Sequence, residues 1–490
     1  MPDIKFDFNN MMSFAVGRDH GVTDADLRRV AKVARRCHQH LSKVLEVPAN
    51  RVRLGLEWAV LPYQDKTTIR EIQKLGDDLA GKYKNVLSLG IGGSYLGLKA
   101  AQEALCSPYF NEFDALRGDR PKIYFEGNNL DPTPLVALLG VLDPKKTAVV
   151  VISKSGETTE TKAAFEVVED WLKKGVGKTY GRQIVAITDP KSGSLRRRVE
   201  EEQQKDPLSF QSLLLLPGVG GRYSELNMGL LHLAICGISL EAVLAGARAM
   251  AGRCRVSSLE QNPAMLYAVL HYLAYTKKNK SIALMMPFTE LLKSTADWYC
   301  QLLAESLGKK YERKIKKMAG GAEEWLSNKS RVVGVGRTPV ACRGTTDLHS
   351  IQQNNIEGEN NKTVTMLRIE RFAEDVRIPC DRSFLFAKTM GELLRLAQEA
   401  TEWALTKDQR PSCTIILPEL TPAAWGGLIY FFEMATAFEG ELLNVNAFDQ
   451  PGVEGYKNYM YVKLRKPGVS AAIAREIKKN PLKKKSRYIL

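Results

Sequence analysis

The sequence predicts an α/β protein with two doubly wound parallel sheets, each a three-layer α/β/α unit, with a helical N-terminal segment and a C-terminal helical tail. Three observations predict it. Short apolar runs rich in β-branched residues recur along the chain, as in AVVVI at 148–152; such runs read as buried strands of a parallel sheet. Amphipathic stretches such as TKAAFEVVEDWLKK fall between them, and strand–helix alternation implies parallel strands with crossover helices. The apolar runs also stop at polar or glycine-rich loops, where a doubly wound sheet places its ligands.

Residues 1–80 read as helical, because DADLRRVAKVARRCHQHLSKVLEV and TTIREIQKLGDDLAGKY carry apolar residues at three and four spacing. His38 and His40 lie two apart, on different helix faces, and do not make a metal-binding pair. A first α/β domain is expected over 81–245, with strands at 86–89, KIYFEGN (122–128), 148–152, QIVAIT (183–188) and SFQSLLLLP (209–217). A second of similar build is expected over 246–440. Its strands are SIALMMPF (281–288), RVVGVG (331–336), TVTMLRI (363–369) and CTIILPEL (413–420), and its helices ELLKSTADWYCQLLAESLGKKYE, DLHSIQQN and FAKTMGELLRLAQEATEWAL. No identical repeat links the halves. Over 441–490, FDQPGVEGYKNYMYVKL leaves the sheet pattern and leads into a basic helical tail.

Composition narrows the function classes. Hydrophobic content of 44% and charged content of 26% are those of a folded globular chain. No apolar run is long enough to span a bilayer, so no membrane partner is expected. The N-terminal MPDIKFDFNNMM carries acids and no apolar core of a secretory signal. The eight cysteines (37, 106, 236, 254, 300, 342, 380, 413) form no CxxC pair, which fits reduced thiols in a cytoplasm better than disulfides or zinc. The net charge of +15 is concentrated toward the end, at Lys478, Lys479, Lys483, Lys484, Lys485 and Arg487. With no zinc-finger spacing and no interleaved basic and aromatic surface, that charge reads first as a solvated tail, and nucleic acid is not an expected partner.

The stretch SKSGETT at 153–159 joins the end of the 148–152 strand to the start of a helix. Backbone N–H groups at a helix start lack internal partners and attract anions. The hydroxyls add donors and Lys154 adds charge, so the loop suits a phosphate; a plain polar cap is the alternative. The glycine loop at 90–94 is not a dinucleotide fingerprint, since in G-x-G-x-x-G register the third glycine falls on Tyr95. No Gly-Lys-Ser/Thr follows it either, so a nucleotide cofactor is not indicated. Both loops lie at strand carboxyl ends, where they can face one ligand. Four later residues stand out: Arg222 in GVGGRYS, Glu305 in AESLGK, His349 in GTTDLHS and Lys457 in FDQPGVEGYK. Singly, each reads more readily as a surface ion pair, a solvated helix face, a cap or core histidine, and a surface lysine.

Together the motifs GIGGSYLG, SKSGETTET, GVGGRYS, AESLGK, GTTDLHSIQQ and FDQPGVEGYK, in that order from about 90 to 457, resemble the phosphoglucose isomerase (glucose-6-phosphate isomerase) family in its bacterial form. The resemblance implies two sugar-isomerase (SIS) domains, a C-terminal segment that wraps a partner, and a homodimer. It implies interconversion of glucose 6-phosphate and fructose 6-phosphate, in glycolysis and gluconeogenesis, without cofactor or metal. Position by position, Gly93 and Ser94 resemble residues lining the sugar site, and Ser153, Lys154, Ser155 and Thr158 the loop that grips the phosphate, with Gln450 near that end. Arg222 resembles the arginine that stabilises charge on the sugar oxygens, and Glu305 the general base. His349 and Lys457 resemble the pair that opens the ring, His349 reaching in from the neighbouring subunit. Two stretches depart from the family. Glu225, Leu226 and Asn227 stand where small or hydroxylated residues are usual, which puts an acid within pairing range of Arg222; Gly156 and Glu157 stand where vertebrate members differ.

The implied chemistry suits these residue types. Moving a proton from C2 to C1 of an open-chain sugar phosphate needs one partly shielded carboxylate that takes it and returns it. The enediolate between needs a fixed cation, which a guanidinium supplies, and ring opening needs a separate acid and base, suited to His and Lys. The competing readings are an isomerase of another sugar phosphate and a sugar-phosphate sensor. A sensor would keep the Ser/Thr loop but need neither Glu305 nor Lys457.

Overall fold

The apolar runs become the strands of two five-stranded sheets in the computed structural model, which describes residues 4–489. In chain order the strands are β1 (Lys5–Asp7), β2 (Asn85–Leu89), β3 (Lys122–Glu126), β4 (Thr147–Ile152), β5 (Ile184–Thr188), β6 (Gln211–Leu214), β7 (Ile282–Pro287), β8 (Lys309–Lys317), β9 (Glu323–Val335), β10 (Thr338–Ala341), β11 (Lys362–Ile369) and β12 (Ser412–Leu417). The chain divides into two units, Met1–Ala447 and Phe448–Leu490. The first holds every strand among the described residues. The second carries a 3-10 turn, Pro451–Val453, and the helices Glu454–Lys463 and Ala471–Lys479, with no buried residue in any of the three.

The first sheet has the order β3-β2-β4-β5-β6 and is parallel throughout. Its centre is β4, buried at all six positions, which is why that run carries no polar alternation. The order reverses between β2 and β4: the chain leaves β2 toward β3, then crosses back to β4. Ligands bind outside the carboxyl ends of such a switch point. The residues there are the glycine loop after β2 and the Ser/Thr loop after β4.

The second sheet has the order β1-β12-β11-β7-β10. Its four parallel strands repeat the first sheet's opening order, with a switch between β7 and β11. Where the first sheet has a fifth parallel strand, the second has β1, antiparallel to β12. The stretch read as helical at the N-terminus thus contributes an edge strand, too short at three residues to show periodicity.

Other expectations are corrected. The helix expected through residue 312 ends at Leu307, and KKYERKIKK is strand β8, paired antiparallel with β9. Residues 331–335 lie in β9 and not in a parallel sheet, and residues 338–341, not anticipated, supply the sheet's edge strand β10. The 209–217 strand shortens to β6, and DLHSIQQN splits into a 3-10 turn, Thr346–His349, and a helix, Gln352–Glu357.

The β8–β9 hairpin is tied to the N-terminal helix Asp24–Glu46 by His40. Its Nδ1 lies 2.7 Å from Glu441 and its Nε2 3.2 Å from Glu323. Arg313 pairs with Glu441 and stacks over Trp325 at 4.1 Å. His38 turns the other way, to the Cys254 carbonyl at 3.1 Å. Among the described residues no helix is long and apolar enough to cross a membrane.

Candidate active site at the first sheet's switch point

The loop after β4 is built from turns that leave hydroxyl protons free to donate. Ser153 Oγ accepts from Gly156 N at 3.0 Å, and Ser155 Oγ accepts from Glu157 N at 3.1 Å. An oxygen that accepts a backbone N–H keeps its own proton to donate. Gly156 has φ +74°, and a Cβ there would strike Leu195 N and lie 2.6 Å from Ser194 Oγ, so the turn requires glycine. Thr158 is the N-cap of the helix Thr159–Val176 but makes no side-chain cap bond. Its hydroxyl and the helix's first N–H groups are available to an anion. Ser153 is buried, and Lys154 is exposed.

The loop after β2 approaches the chain that carries Arg222. A Cβ on Gly93 would collide with Gly221 O and lie 2.7 Å from Arg222 N, so this glycine is required for close backbone approach. Ser94 follows it, half-buried.

Arg222, 2% exposed, lies on the 3-10 turn Gly221–Tyr223. Its guanidinium partners include a hydroxyl, a carboxylate and a backbone carbonyl. Nε donates to Ser306 Oγ at 2.8 Å, Nη1 to Glu305 Oε2 at 3.1 Å and Nη2 to the Ala447 carbonyl at 2.7 Å. Glu305 lies in the last turn of the helix Lys293–Leu307 with its side chain 30% exposed. Its second oxygen accepts from Gln301 Nε2 at 3.1 Å. A carboxylate reachable from outside thus sits against a buried, oriented cation: a base that can take a proton, beside a charge that stabilises the anion left behind.

Glu225 does not take Arg222 from this role. Its Oε1 accepts from Trp298 Nε1 at 2.7 Å, and the carboxyl of Glu433, on the helix Pro422–Leu442, is close enough for the two acids to act on each other's titration. Both acids are 1% exposed. Burial raises the pKa of Glu225; burial and then the Glu225 charge raise that of Glu433 well above the ordinary range, so the pair holds a proton. Trp298 precedes Glu305 by two helical turns on the same face, so this clamp fixes the helix that presents Glu305.

The remaining two residues have local surroundings of their own. His349 ends its 3-10 turn, exposed, and its ring makes no hydrogen bond among the described residues. In the second unit, Lys457 Nζ lies 3.1 Å from Glu454 on the helix Glu454–Lys463, and Gln450 precedes the turn Pro451–Val453. Sequence reading missed Gln301, Ser306, the Ala447 carbonyl and the Glu225–Glu433–Trp298 clamp. Gln301 was accessible in principle, because residues four apart on a helix face each other; Glu433 lies in no motif. A cavity of about 380 Å³ opens beside Ser153 and Gly156, toward Phe165, Glu169 and Arg198, but neither Arg222 nor Glu305 lines it.

Comparison with known proteins places the whole chain in a family. A family model described as phosphoglucose isomerase matches residues 28–324 and 386–473. Glucose-6-phosphate isomerase of Carboxydothermus hydrogenoformans is 39% identical over 496 residues, covering 99% of both chains. That of Symbiobacterium thermophilum is 36% identical and covers 84% of this chain and 88% of its own. Among solved structures, a hypothetical protein from Thermus thermophilus superposes with a TM-score of 0.78 at 33% identity, covering 94% of this chain and 100% of its own. A glucose-6-phosphate isomerase from Chlamydia trachomatis shares the fold, with a TM-score of 0.71 at 20% identity, covering 92% and 88%.

Proposed function

The chain belongs to the phosphoglucose isomerase family and interconverts glucose 6-phosphate and fructose 6-phosphate, and we propose that the switch-point crevice of the first sheet is where it does so. The observation that carries this reading is the 3.1 Å approach of Arg222 to Glu305. The hydroxyls of Ser153, Ser155 and Thr158 and the helix start behind them hold the phosphate, with Lys154 adding charge and Gln450 nearby. Gly93 and Ser94 line the sugar. His349 and Lys457 open the ring as acid and base. Glu305 takes the C2 proton and returns it to C1, and Arg222 neutralises the enediolate oxygens between the two steps. No electron leaves or enters, so the step balances without a co-reactant. The domains this reading implies are SIS domains over 81–245 and 246–440, with the segments 1–80 and 441–490 as additions to them.

In the same reading the enzyme is a homodimer, and His349 acts across the interface. Its exposure and its unpartnered ring support this: a group built for a site within its own chain would be held there. The test pairs a Glu305→Gln chain with a His349→Ala chain. A twofold dimer uses its interface twice. If the site is composite, one site of the mixed dimer receives both lesions and the other receives none. Each homodimer should lose about 10²–10⁴ in turnover, the worth of a positioned acid–base group, and the mixed dimer purified through two tags should recover toward half the wild-type specific activity. Mixed-dimer activity no higher than the mean of the two homodimers overturns the shared site; near-normal turnover of the Glu305→Gln homodimer overturns Glu305 as the base.

A further inference from the structure

The amino ends of β7, β11 and β12 lie at the opposite edge of the second sheet from its carboxyl-end loops, and basic side chains gather there. Lys278 ends the helix Pro263–Lys278, Lys280 precedes β7, Lys362 opens β11 and Arg410 precedes β12. His20 joins them from the N-terminal segment, 3.3 Å from Lys280 Nζ. Lys280 is fully buried. Its ammonium is held by the carbonyl and the side-chain oxygen of Asn360, at 2.5 and 2.6 Å. Lys278 donates to the Arg18 carbonyl at 2.5 Å, and Lys362 to that of Glu359 at 2.9 Å. All these acceptors are neutral, and none of the four cations forms an ion pair among the described residues. Nε and Nη1 of Arg410 are sealed from solvent with no acceptor at all.

This arrangement is costly as it stands. Buried charge is normally paired, and a buried donor without an acceptor loses its hydration for nothing. The charge is felt locally. Burial, then Arg410, Lys278 and Lys362, push Lys280 down to about 8. Burial and Lys280 lower His20 against the opposing pull of Asp19, and burial and Arg410 lower Lys362 against that of Glu359. Three acids are in range of these four cations, Asp19, Glu359 and Asp26, and Asp26, which feels Lys278, is also paired with Arg29, so the cluster stays under-neutralised. Four cations from three chain segments, with guanidinium N–H groups unused, match a compact multivalent oxyanion.

We propose that the amino ends of β7, β11 and β12 form a binding site for a small anion of the phosphate class, with Lys280 and Arg410 at its centre and Lys278, Lys362 and His20 around it. Neither Arg222, Glu305 nor the 153–158 loop belongs to it. The site takes the anion's negative charge as the counterion that the protein lacks there, and Lys280 regains its full proton on binding.

The test is calorimetric titration of the full-length protein with inorganic pyrophosphate at pH 8.0, in a saturating equilibrium mixture of glucose 6-phosphate and fructose 6-phosphate that occupies the isomerase site. Binding is expected with uptake of up to about half a proton per anion, read from the dependence of the heat on buffer ionisation enthalpy, because a group titrating at about 8 is half protonated there. Arg410→Gln should weaken it at least ten-fold, with kcat and KM unchanged. Lys280→Met should abolish the proton uptake. Because a buried lysine can also serve the fold, Lys362→Gln, at a partly exposed residue, provides a second affinity readout. The proposal is overturned by an absence of heat with the isomerase site occupied, by equal affinity in Arg410→Gln and Lys362→Gln, or by an equal response to sodium chloride at matched ionic strength.

Discussion

Replacing Arg222 by lysine keeps the charge and removes the fork. The acceptors of the arginine include Ser306 Oγ, Glu305 Oε2 and the Ala447 carbonyl, each met by a different nitrogen at 2.7–3.1 Å. An ammonium on a shorter reach satisfies one of them well, so at least two charge-assisted bonds are lost. Each is worth about 1.5–3 kcal/mol, and the acceptors left behind are largely buried. The larger consequence is for the transition state. A donor aimed at a developing oxyanion contributes about 10²–10³ in kcat, and a lysine placed at one of these ground-state acceptors does not reproduce that aim. We therefore expect Arg222→Lys to lower kcat by about 10²–10³ while KM for fructose 6-phosphate changes little, since phosphate affinity is assigned to the 153–158 loop. The assay couples glucose 6-phosphate formation to a dehydrogenase, on protein whose far-ultraviolet spectrum matches wild type. Ser306→Ala, which removes only the Nε acceptor, should cost no more than about ten-fold by the same reckoning. A well-folded Arg222→Lys protein working within a few-fold of wild type would refute the argument, because charge alone, without orientation, would then suffice.

Three further outcomes follow from the geometry. Ser153→Ala combined with Thr158→Ala should raise KM more than it lowers kcat, the pattern of lost uniform binding; an unchanged KM would place the phosphate elsewhere. Activity should survive EDTA, because Arg222 supplies the positive charge opposite the enediolate; a loss restored by a divalent ion would contradict that. Glu433→Gln should become progressively more stable relative to wild type as pH rises. Glu433 holds its proton in the folded protein above the pH at which the unfolded chain releases it, so its contribution falls as pH climbs between those two values, at up to about 1.4 kcal/mol per pH unit. The substituted amide has no proton to lose, and denaturation curves at pH 5 and pH 8 that differ from wild type by the same amount would refute the shared-proton clamp.

What the sequence revealed tracks how local the determinants are. β4 was legible because six consecutive buried positions leave an unbroken apolar run. The loops after β2 and β4 were legible because their glycines and hydroxyls answer to backbone requirements visible within a few residues. The strand β8 was not: KKYERKIKK continues the charge pattern of the helix before it, and only pairing with β9 decides its state. The same holds for β1, whose three residues acquire meaning from partners four hundred positions away. At the site, Arg222 and Glu305 could be named singly, but their contact joins positions 83 apart. Whether Glu225 pairs with Arg222, which the sequence left open, turned on equally distant contacts. Its true partners, Trp298 and Glu433, come from helices that no local pattern connects to it.

The antiparallel edge strand has a consequence for how the chain is made. Lys5, Phe6 and Asp7 pair with Ile416, Ile415 and Thr414. During synthesis at about 5–20 residues per second, β1 leaves the ribosome roughly 20–80 s before β12 exists. The first sheet, complete by Leu214, can close in the meantime, while the opening residues wait without their hydrogen-bonding partner. A nascent chain therefore carries an uncommitted strand from the emergence of β1 until β12 is made. Until that strand docks, the outer edge of β12 is an open template for another chain. Trimming the first seven residues would make that window permanent.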